Sequence, residues 1–326
     1  MKTKILLIIL LISSIYACQD TEEVYKPYKD KLDIVFITGK DKENDNRYYY
    51  MAEEYYKTGE ENYDMVITSC HSLLSIRDFL DSYKKHNIVW GKIVIVSHSN
   101  EWRGMSLPVF DKGQRTNHKI LKEAIAQNRF LPLSKEVLTD TTKLIIEACG
   151  LGKNQKLLKE LQRAFGIEHI SASPFFTVFM KENNVAKKYK AAYYYAFFKT
   201  GYRPANIKLS KQYHQKYPDV NINWLEALSR KYPRFAGDTY SYFFNIPVKW
   251  TVVFETEEYL PVFKNEKEKL KWILSQNELM QIINKTGIEP DKFRWRIKKI
   301  QYQLPGGGTA PALEIQGKTS ALCVIK

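Results

Sequence analysis

Two residues of this chain, His98 and Cys149, have the types and the setting that nucleophilic catalysis requires. Cys149 follows the apolar run Leu144-Ile145-Ile146, which predicts a buried strand, and it precedes Gly150, Gly152 and a helical pattern. A thiol between a strand end and a helix start lies close to backbone N–H groups and a positive helix end, which lower its pKa. His98 ends another apolar run, and the carboxyl ends of parallel strands share one edge of a sheet. The sequence therefore predicts a Cys149/His98 dyad with a cysteine nucleophile.

The elements that would position this dyad alternate between strands and helices. Strands are predicted over residues 33–39, 64–69, 92–97, 143–147 and 168–173, and helices over 44–57, 71–85, 117–127 and 155–165, with a turn and short hairpin over 101–110. This alternation is typical of βαβ units, so we predict an α/β protein with a mostly parallel sheet flanked by helices.

After residue 173 the predicted strands and helices no longer alternate regularly. We predict helices over 185–201, 205–213, 221–235 and 266–285, and strands over 249–256, 294–303 and 313–325. We therefore divide the mature chain into a main α/β domain, residues 32–245, and a small C-terminal α+β extension, residues 246–326. The loop Pro305-Gly306-Gly307-Gly308 is not a phosphate loop, because neither a Lys-Ser/Thr pair nor a helix follows it.

His98 precedes Cys149 by 51 positions, and in caspases the histidine lies about 50 residues before the cysteine. The strand order, Val96-Ser97-His98 and Glu147-Ala148-Cys149-Gly150 resemble the caspase-like cysteine peptidase superfamily, which includes caspases, gingipains, legumains and bacterial CHAT domains. The segments 171–174, 195–201 and 203–205 resemble the CHAT pattern. The resemblance spans residues 32–213 and implies a caspase-like fold.

The resemblance also implies peptide-bond cleavage in a peptide or protein substrate. Cys149 would attack the scissile carbonyl, His98 would protonate the leaving amine, and the backbone N–H groups of Ser99 and Cys149 would hold the oxyanion. Ser99 stands where the family usually has glycine. Trp102 and Arg103, just past His98, and Ser173, at the end of the fifth strand, are candidate substrate-pocket residues. Two alternatives stay open: a caspase-like domain without activity that binds a partner, and a Cys149 that is only a buried apolar residue.

Other residue pairs support chemistry less well. Cys70 and His71 are adjacent on a strand end and point to opposite faces, and no metal-ligand spacing of the CxxC or HxxxH kind occurs, so we predict no metal site. Ser99 lies in a segment similar to a serine nucleophile elbow, but both glycines of that motif are missing and no helix follows. We predict no cofactor.

Residues 1–17 have the pattern of a cleaved signal peptide, with two lysines before an unbroken aliphatic run too short to span a bilayer. The ending at Cys18 resembles a bacterial lipobox, which implies lipidation of Cys18 by acyl groups such as palmitate. Residues 18–31 would then form a tether, and the protein would be anchored in the cell envelope, at the outer membrane or the cell surface. The alternative is an ordinary secreted protein cleaved after Ala17. Three cysteines would remain, so at least one thiol would be free.

The formal net charge is +14, yet the basic residues form no dense block. Together with the predicted export, this argues against nucleic-acid binding and favours anionic surfaces or acidic substrates as partners.

Overall fold

The structure is a computed structural model that describes residues 30–40, 47–59, 61–235 and 237–326. The predicted signal peptide, Cys18 and nearly all of the predicted tether lie outside the described residues. The strands are β1 (Asp30–Ile37), β2 (Met65–Ile67), β3 (Ile88–Val96), β4 (Ser99–Asn100), β5 (Gly104–Pro108), β6 (Arg115–Thr116), β7 (Lys143–Glu147), β8 (His169–Ala172), β9 (Phe176–Glu182), β10 (Val185–Ala191), β11 (Tyr193–Lys199), β12 (Tyr240–Val253), β13 (Arg294–Gln303) and β14 (Thr309–Ile325). The helices are α1 (Tyr48–Thr58), α2 (Leu73–Ser82), α3 (His118–Ala126), α4 (Gln155–Phe165), α5 (Asn206–Lys216), α6 (Trp224–Ser229), α7 (Glu266–Leu274) and α8 (Asn277–Asn284).

The first sheet has five strands in the order β2-β1-β3-β7-β8, and every neighbouring pair is parallel. Its strands are apolar because both faces are covered, as parallel sheets require. One face packs on α2, α3 and α4, and the other packs on α1 and on the antiparallel hairpin β9–β10. The predicted α/β class with a parallel sheet flanked by helices is confirmed.

The second sheet is antiparallel and is built around β14, whose residues 312–325 pair with the whole of β12. On the other side of β14, β11 pairs with its last third and β13 with its first part. The helices α7 and α8 cover one face of this sheet, and α5 and α6 cover part of the other. The predicted boundary between residues 245 and 246 falls inside β12, and the sheet also takes in β11 from earlier in the chain.

The helix predicted over residues 185–201 is wrong, because this segment forms β10 and β11. Its Tyr and Phe side chains fit a pleated, half-buried surface, and tertiary packing decides between helix and strand there. Gly201, expected to end a helix, instead has φ +87° in the turn after β11. The long helix predicted over residues 266–285 is two helices that break at Ser275 and Gln276, and the helix predicted over 221–235 is limited to α6.

A third, small sheet lies directly after β3. It consists of β4, β5 and β6 in antiparallel order, and it includes the hairpin expected over residues 101–110. Ser97 ties this sheet to the strand end, since its hydroxyl accepts a hydrogen bond from the backbone N–H of Leu107 at 3.3 Å. The chain after β3 is therefore held close to the edge of the parallel sheet where His98 lies.

Candidate functional site

His98 and Cys149 follow two strands that are direct neighbours in the parallel sheet. The last paired residues of β3 and β7 are Val96 and Glu147, and the Ser97 N–H donates to the Glu147 carbonyl at 3.1 Å. His98 and Cys149 each come two residues after that pair, so the structure places their backbones at the same level of the sheet edge.

The strand pattern places His98 on the face of the sheet that packs under α1. Val94 and Val96 of β3 belong to the core cluster under α1, and Ile145 of β7 packs against that cluster. Side chains alternate along a strand, so His98, two positions after Val96, continues on that face, whereas Cys149 lies in the turn after β7 and packs against the apolar cluster of the second sheet. The imidazole of His98 lies on the α1 face, since it stacks on the ring of Tyr48 with centroids 4.6 Å apart.

Two tyrosines of α1 hold the histidine side of the site. The Tyr49 hydroxyl accepts a hydrogen bond from the His98 backbone N–H at 3.1 Å, and its ring meets the imidazole edge-on at 4.8 Å. The Tyr48 hydroxyl donates to the carbonyl of Glu147 at 3.1 Å, so this one side chain spans both strand ends. Burial, followed by the charge of a Cys149 thiolate, raises the pKa of Tyr48 well above its ordinary value.

The Cys149 thiol lies on the side of the second sheet and under β9. Its Sγ donates to the carbonyl of Thr177 across 3.8 Å, and the residue packs against the apolar cluster that contains Phe176. Cys149 as a residue is only half-buried, but burial of its thiol group raises the pKa to about 12, although the hydrogen bond with Thr177 acts in the opposite direction. The thiol is therefore protonated at neutral pH in this conformation.

The sequence led us to expect a lowered thiol pKa at a helix start, and this expectation is wrong. A short 3-10 turn, Leu151–Lys153, separates Cys149 from α4, which begins only at Gln155. The cap of α4 is Asn154, whose side chain accepts from the Leu157 N–H. Because the helix dipole acts only near the first turn, it does not offset the burial of the thiol.

Ser99 joins the two strand ends directly. Its hydroxyl donates to the Cys149 carbonyl at 2.7 Å, and its backbone pairs with Met105 in the small antiparallel sheet. The N–H of Gly150 donates to the Phe175 carbonyl at 3.0 Å, so this N–H does not serve as a donor to an oxyanion. Ser99 begins β4, and a turn follows this strand in place of a helix, which also differs from a serine nucleophile elbow.

The candidate pocket residues Trp102 and Arg103 are contacts with the second sheet. The Trp102 ring meets Tyr195 edge-on at 4.8 Å, and its indole N–H donates to the Thr286 carbonyl at 3.3 Å. The guanidinium of Arg103 donates to the Asn245 carbonyl at 3.4 Å. These two side chains join the turn between β4 and β5 to the second sheet and to the loop after α8.

Ser173, the third candidate for the pocket, serves the loop that precedes β9. Its hydroxyl accepts from the Phe175 N–H at 3.1 Å, and its carbonyl accepts from the Gly152 N–H at 3.0 Å. A cavity of about 110 Å³ nearby is lined in part by Val178 and Tyr240, and neither dyad residue lines it.

An ion pair that sequence reasoning missed ties β9–β10 to the strand that carries the cysteine. The Nζ of Lys188 lies 3.3 Å from Glu147 Oε1 and 3.0 Å from Glu61 Oε1. The other oxygen of Glu147 accepts from the Thr177 hydroxyl at 2.9 Å. Thr177 therefore contacts both the thiol, through its carbonyl, and the carboxylate two residues before it. The aromatic density of α1 could have indicated that this face is the site, but nothing in the sequence indicates the pairing of β9 with it.

The second Cys/His neighbour pair has a packing role. Cys70 is buried and its Sγ contacts the Ser75 carbonyl at 3.6 Å, while His71 Nδ1 lies 3.3 Å from the Thr38 carbonyl. Within the described ranges no group of three or more His, Cys, Asp or Glu residues could hold a metal ion. Cys323 is buried in β14, and the three described cysteines are all free thiols.

No protein-family model, curated protein or solved structure matches this chain. In the part of the chain that the structure describes, no helix is both long enough and apolar enough to cross a membrane.

Proposed function

We propose that this chain is a caspase-like cysteine peptidase, exported and lipid-anchored at Cys18, that cleaves peptide bonds with Cys149 and His98. The observation that supports it most is the position of these two residues at the same level, each two residues past the last pair of the neighbouring strands β3 and β7. A sulfur nucleophile and an imidazole on adjacent parallel strands are the arrangement that such a dyad requires.

In this proposal each residue has a defined task. His98 takes the proton of the Cys149 thiol as the sulfur attacks the carbonyl carbon, and it gives this proton to the leaving amine as the C–N bond breaks. The backbone N–H groups of Ser99 and Cys149 receive the oxyanion. Water then hydrolyses the thioester and restores the thiol. Tyr48 and Tyr49 are positioning residues, because they fix the imidazole and the two strand ends without contacting the reacting atoms.

The raised pKa of Cys149 adds a condition to the proposal. The thiol is protonated while β9 lies over it, so attack requires that substrate binding or movement of β9 brings the sulfur out of its contact with Thr177. A second candidate function uses the same observation. With the thiol permanently covered, the chain would be an inactive caspase-like lipoprotein that binds a partner.

A thiol-labelling experiment separates the two candidates. The full chain is treated with a mixed library of peptidyl electrophiles, and the labelled cysteine is identified by mass spectrometry. The peptidase proposal expects labelling at Cys149 that is lost in Cys149→Ala and in His98→Ala and is retained in Cys70→Ala and Cys323→Ala. If no peptidyl electrophile labels Cys149 faster than Cys70, the binding protein is the better account. A peptide-library cleavage profile would then give the substrate preference of a labelled enzyme.

A further inference from the structure

One face of the second sheet carries several rows of exposed basic side chains. Residues directly opposite each other on antiparallel strands share a face. The register across β13, β14 and β12 therefore gives three successive rows on one face: Arg294, Lys318 and Pro247; Arg296, Gln316 and Lys249; Lys298, Glu314 and Thr251. We call this surface the basic sheet face.

Five cations and one carboxylate occupy these nine positions. The side chains of Arg294, Arg296, Lys298, Lys249 and Lys318 are all exposed. The one carboxylate, Glu314, is buried beneath them and is paired with Lys249, so it presents little negative charge to the solvent. The pKa of Glu314 is lowered by its hydrogen bond from Lys249, by Gln316 and by the charge of Lys298.

Neighbouring elements leave this part of the sheet uncovered. The opposite face of the same rows carries Trp295, Ile297 and Ile315 and packs on α7 and α8. On the basic side, α5 and α6 cover only the end of the sheet around Phe198 and Leu322. The basic sheet face thus begins where that helical cover stops.

Apolar side chains extend the same face toward the end of the sheet. The next rows along are Ile300, Ala312 and Val253, and then Tyr302 and Ala310. Val253 is 42% exposed and Tyr302 is 38% exposed. A planar array of cations bordered by exposed apolar and aromatic side chains has the composition of surfaces that bind the headgroup region of a membrane.

We propose that the basic sheet face docks on the surface of an anionic phospholipid bilayer. Adjacent strands are about 4.8 Å apart and same-face residues about 7 Å apart along a strand, so the five cations spread over a flat area that faces several headgroups at once. Charge complementarity supplies the attraction, and Tyr302 with Val253 supplies apolar contact at the edge. The inference is independent of the Cys149/His98 dyad, since none of these residues touches it.

The test is co-sedimentation with vesicles. The full chain carries Cys18→Ser, so that no acyl group forms and the N-terminal apolar segment is the same in every sample. Vesicles of phosphatidylcholine alone are compared with vesicles that contain about a third phosphatidylglycerol, at about 0.1 M salt. The variant replaces three cations of one strand: Arg294→Gln, Arg296→Gln and Lys298→Gln.

A matched control removes three exposed charges from the parallel-sheet part of the chain: Lys119→Gln, Lys122→Gln and Lys156→Gln. Each basic side chain near an anionic surface contributes a factor of about five, so the strand variant should bind the anionic vesicles roughly 100-fold more weakly. The control should bind like the unsubstituted chain, and all samples should lose binding as salt is raised.

Three outcomes would overturn the proposal. One is equal loss of binding in the strand variant and in the control, which would mean that net charge alone acts. Another is binding that does not depend on phosphatidylglycerol. The third is binding of a single-stranded oligonucleotide, measured by fluorescence anisotropy, that the strand variant loses while vesicle binding is unchanged. None of the replaced side chains is buried, so every variant should fold. A thermal melt of each variant checks that it is folded.

Discussion

Replacing Lys188 with methionine should destabilise the protein, because it leaves the carboxylate of Glu147 without its cation. Lys188 Nζ pairs with Glu147 and Glu61, and the side chains of Lys188 and Glu147 are only 19% and 12% exposed. Its ammonium also lies over the rings of Tyr55 and Tyr56 at 5.2 and 5.6 Å. Without Lys188, Glu147 keeps the hydrogen bond from Thr177 and loses its counter-charge.

The magnitude follows from the burial of the pair. Removing one partner of a fully buried ion pair costs about 3–5 kcal/mol, and the residual exposure of Lys188 and Glu147 reduces this to about 2–3 kcal/mol of unfolding free energy. For a chain of this size that corresponds to a fall in Tm of roughly 3–5 °C. Urea unfolding at neutral pH, followed by tryptophan fluorescence, measures the loss.

The pH for this measurement follows from the pKa of Lys188. Burial lowers that pKa, but the charges of Glu147 and Glu61 outweigh burial and raise it above its ordinary value of 10.5. A group with a raised pKa stabilises the fold fully below its unfolded pKa, and the contribution is lost as pH rises through the folded pKa. The full effect is therefore present at pH 7, and the difference between the two proteins should narrow only above about pH 10.5.

Two further variants make the reasoning refutable. Lys187→Met removes the neighbouring lysine, whose partner Glu182 is at the surface, and should cost far less. Lys188→Met combined with Glu147→Gln should recover most of the loss, because the uncompensated charge is gone. If Lys188→Met costs no more than Lys187→Met, or if the double variant is less stable than Lys188→Met, the account of a buried ion pair is wrong.

Three more outcomes are expected. Iodoacetamide should alkylate Cys149 on the order of a thousand-fold more slowly than a solvent-exposed thiol at pH 7.5, because burial raises the pKa of Cys149 to about 12. The alkylation rate, measured by peptide mapping, should rise about tenfold per pH unit, and fast alkylation near neutral pH would contradict the raised pKa. Gly152→Ala should cost about 2 kcal/mol or more in urea unfolding, because the new Cβ would lie 2.5 Å from the Ala172 carbonyl oxygen, and an unchanged midpoint would mean that the loop can move. Burial disfavours the charged form of Asp238, but hydrogen bonds from Arg234 outweigh burial and lower the pKa of this carboxyl, so the carboxylate stabilises the fold above about pH 4 and this contribution is lost as pH falls through the folded pKa. The difference in unfolding free energy between the unsubstituted chain and Asp238→Asn should therefore narrow below about pH 4, and a constant difference in acid unfolding would refute this.

The parallel half of the fold could be predicted from the sequence because its patterns are local. The strand Lys143–Glu147 and the helix Gln155–Phe165 have the predicted bounds, since one is a continuous apolar run and the other has a clear helical period. The adjacency of His98 and Cys149 followed from a general rule about parallel strand ends, and the register of β3 and β7 agrees with it.

The cover of the site could not be predicted, because it depends on contacts between distant segments. The run Tyr193 to Phe198 can form either a helix or a strand, and β14, more than a hundred residues later, makes it a strand. The raised pKa of Cys149 has the same origin. The Cys149 thiol hydrogen-bonds to the carbonyl of Thr177, whose position is fixed by the pairing of β9 with β10 and not by any local pattern.

The central position of β14 has a consequence for how the chain is made. Strands β11, β12 and β13 all precede β14, and β14 is their shared partner. Tyr193, for example, can pair only after Ile325 has been synthesised. The five strands of the parallel sheet are complete by Ala172, so that half can assemble while the ribosome is still at work. The second sheet cannot, because its three other strands are made before β14 and can pair only after β14 has been made. Three aromatic-rich strands therefore stay unpaired until then, which is the interval in which a nascent chain depends most on chaperones.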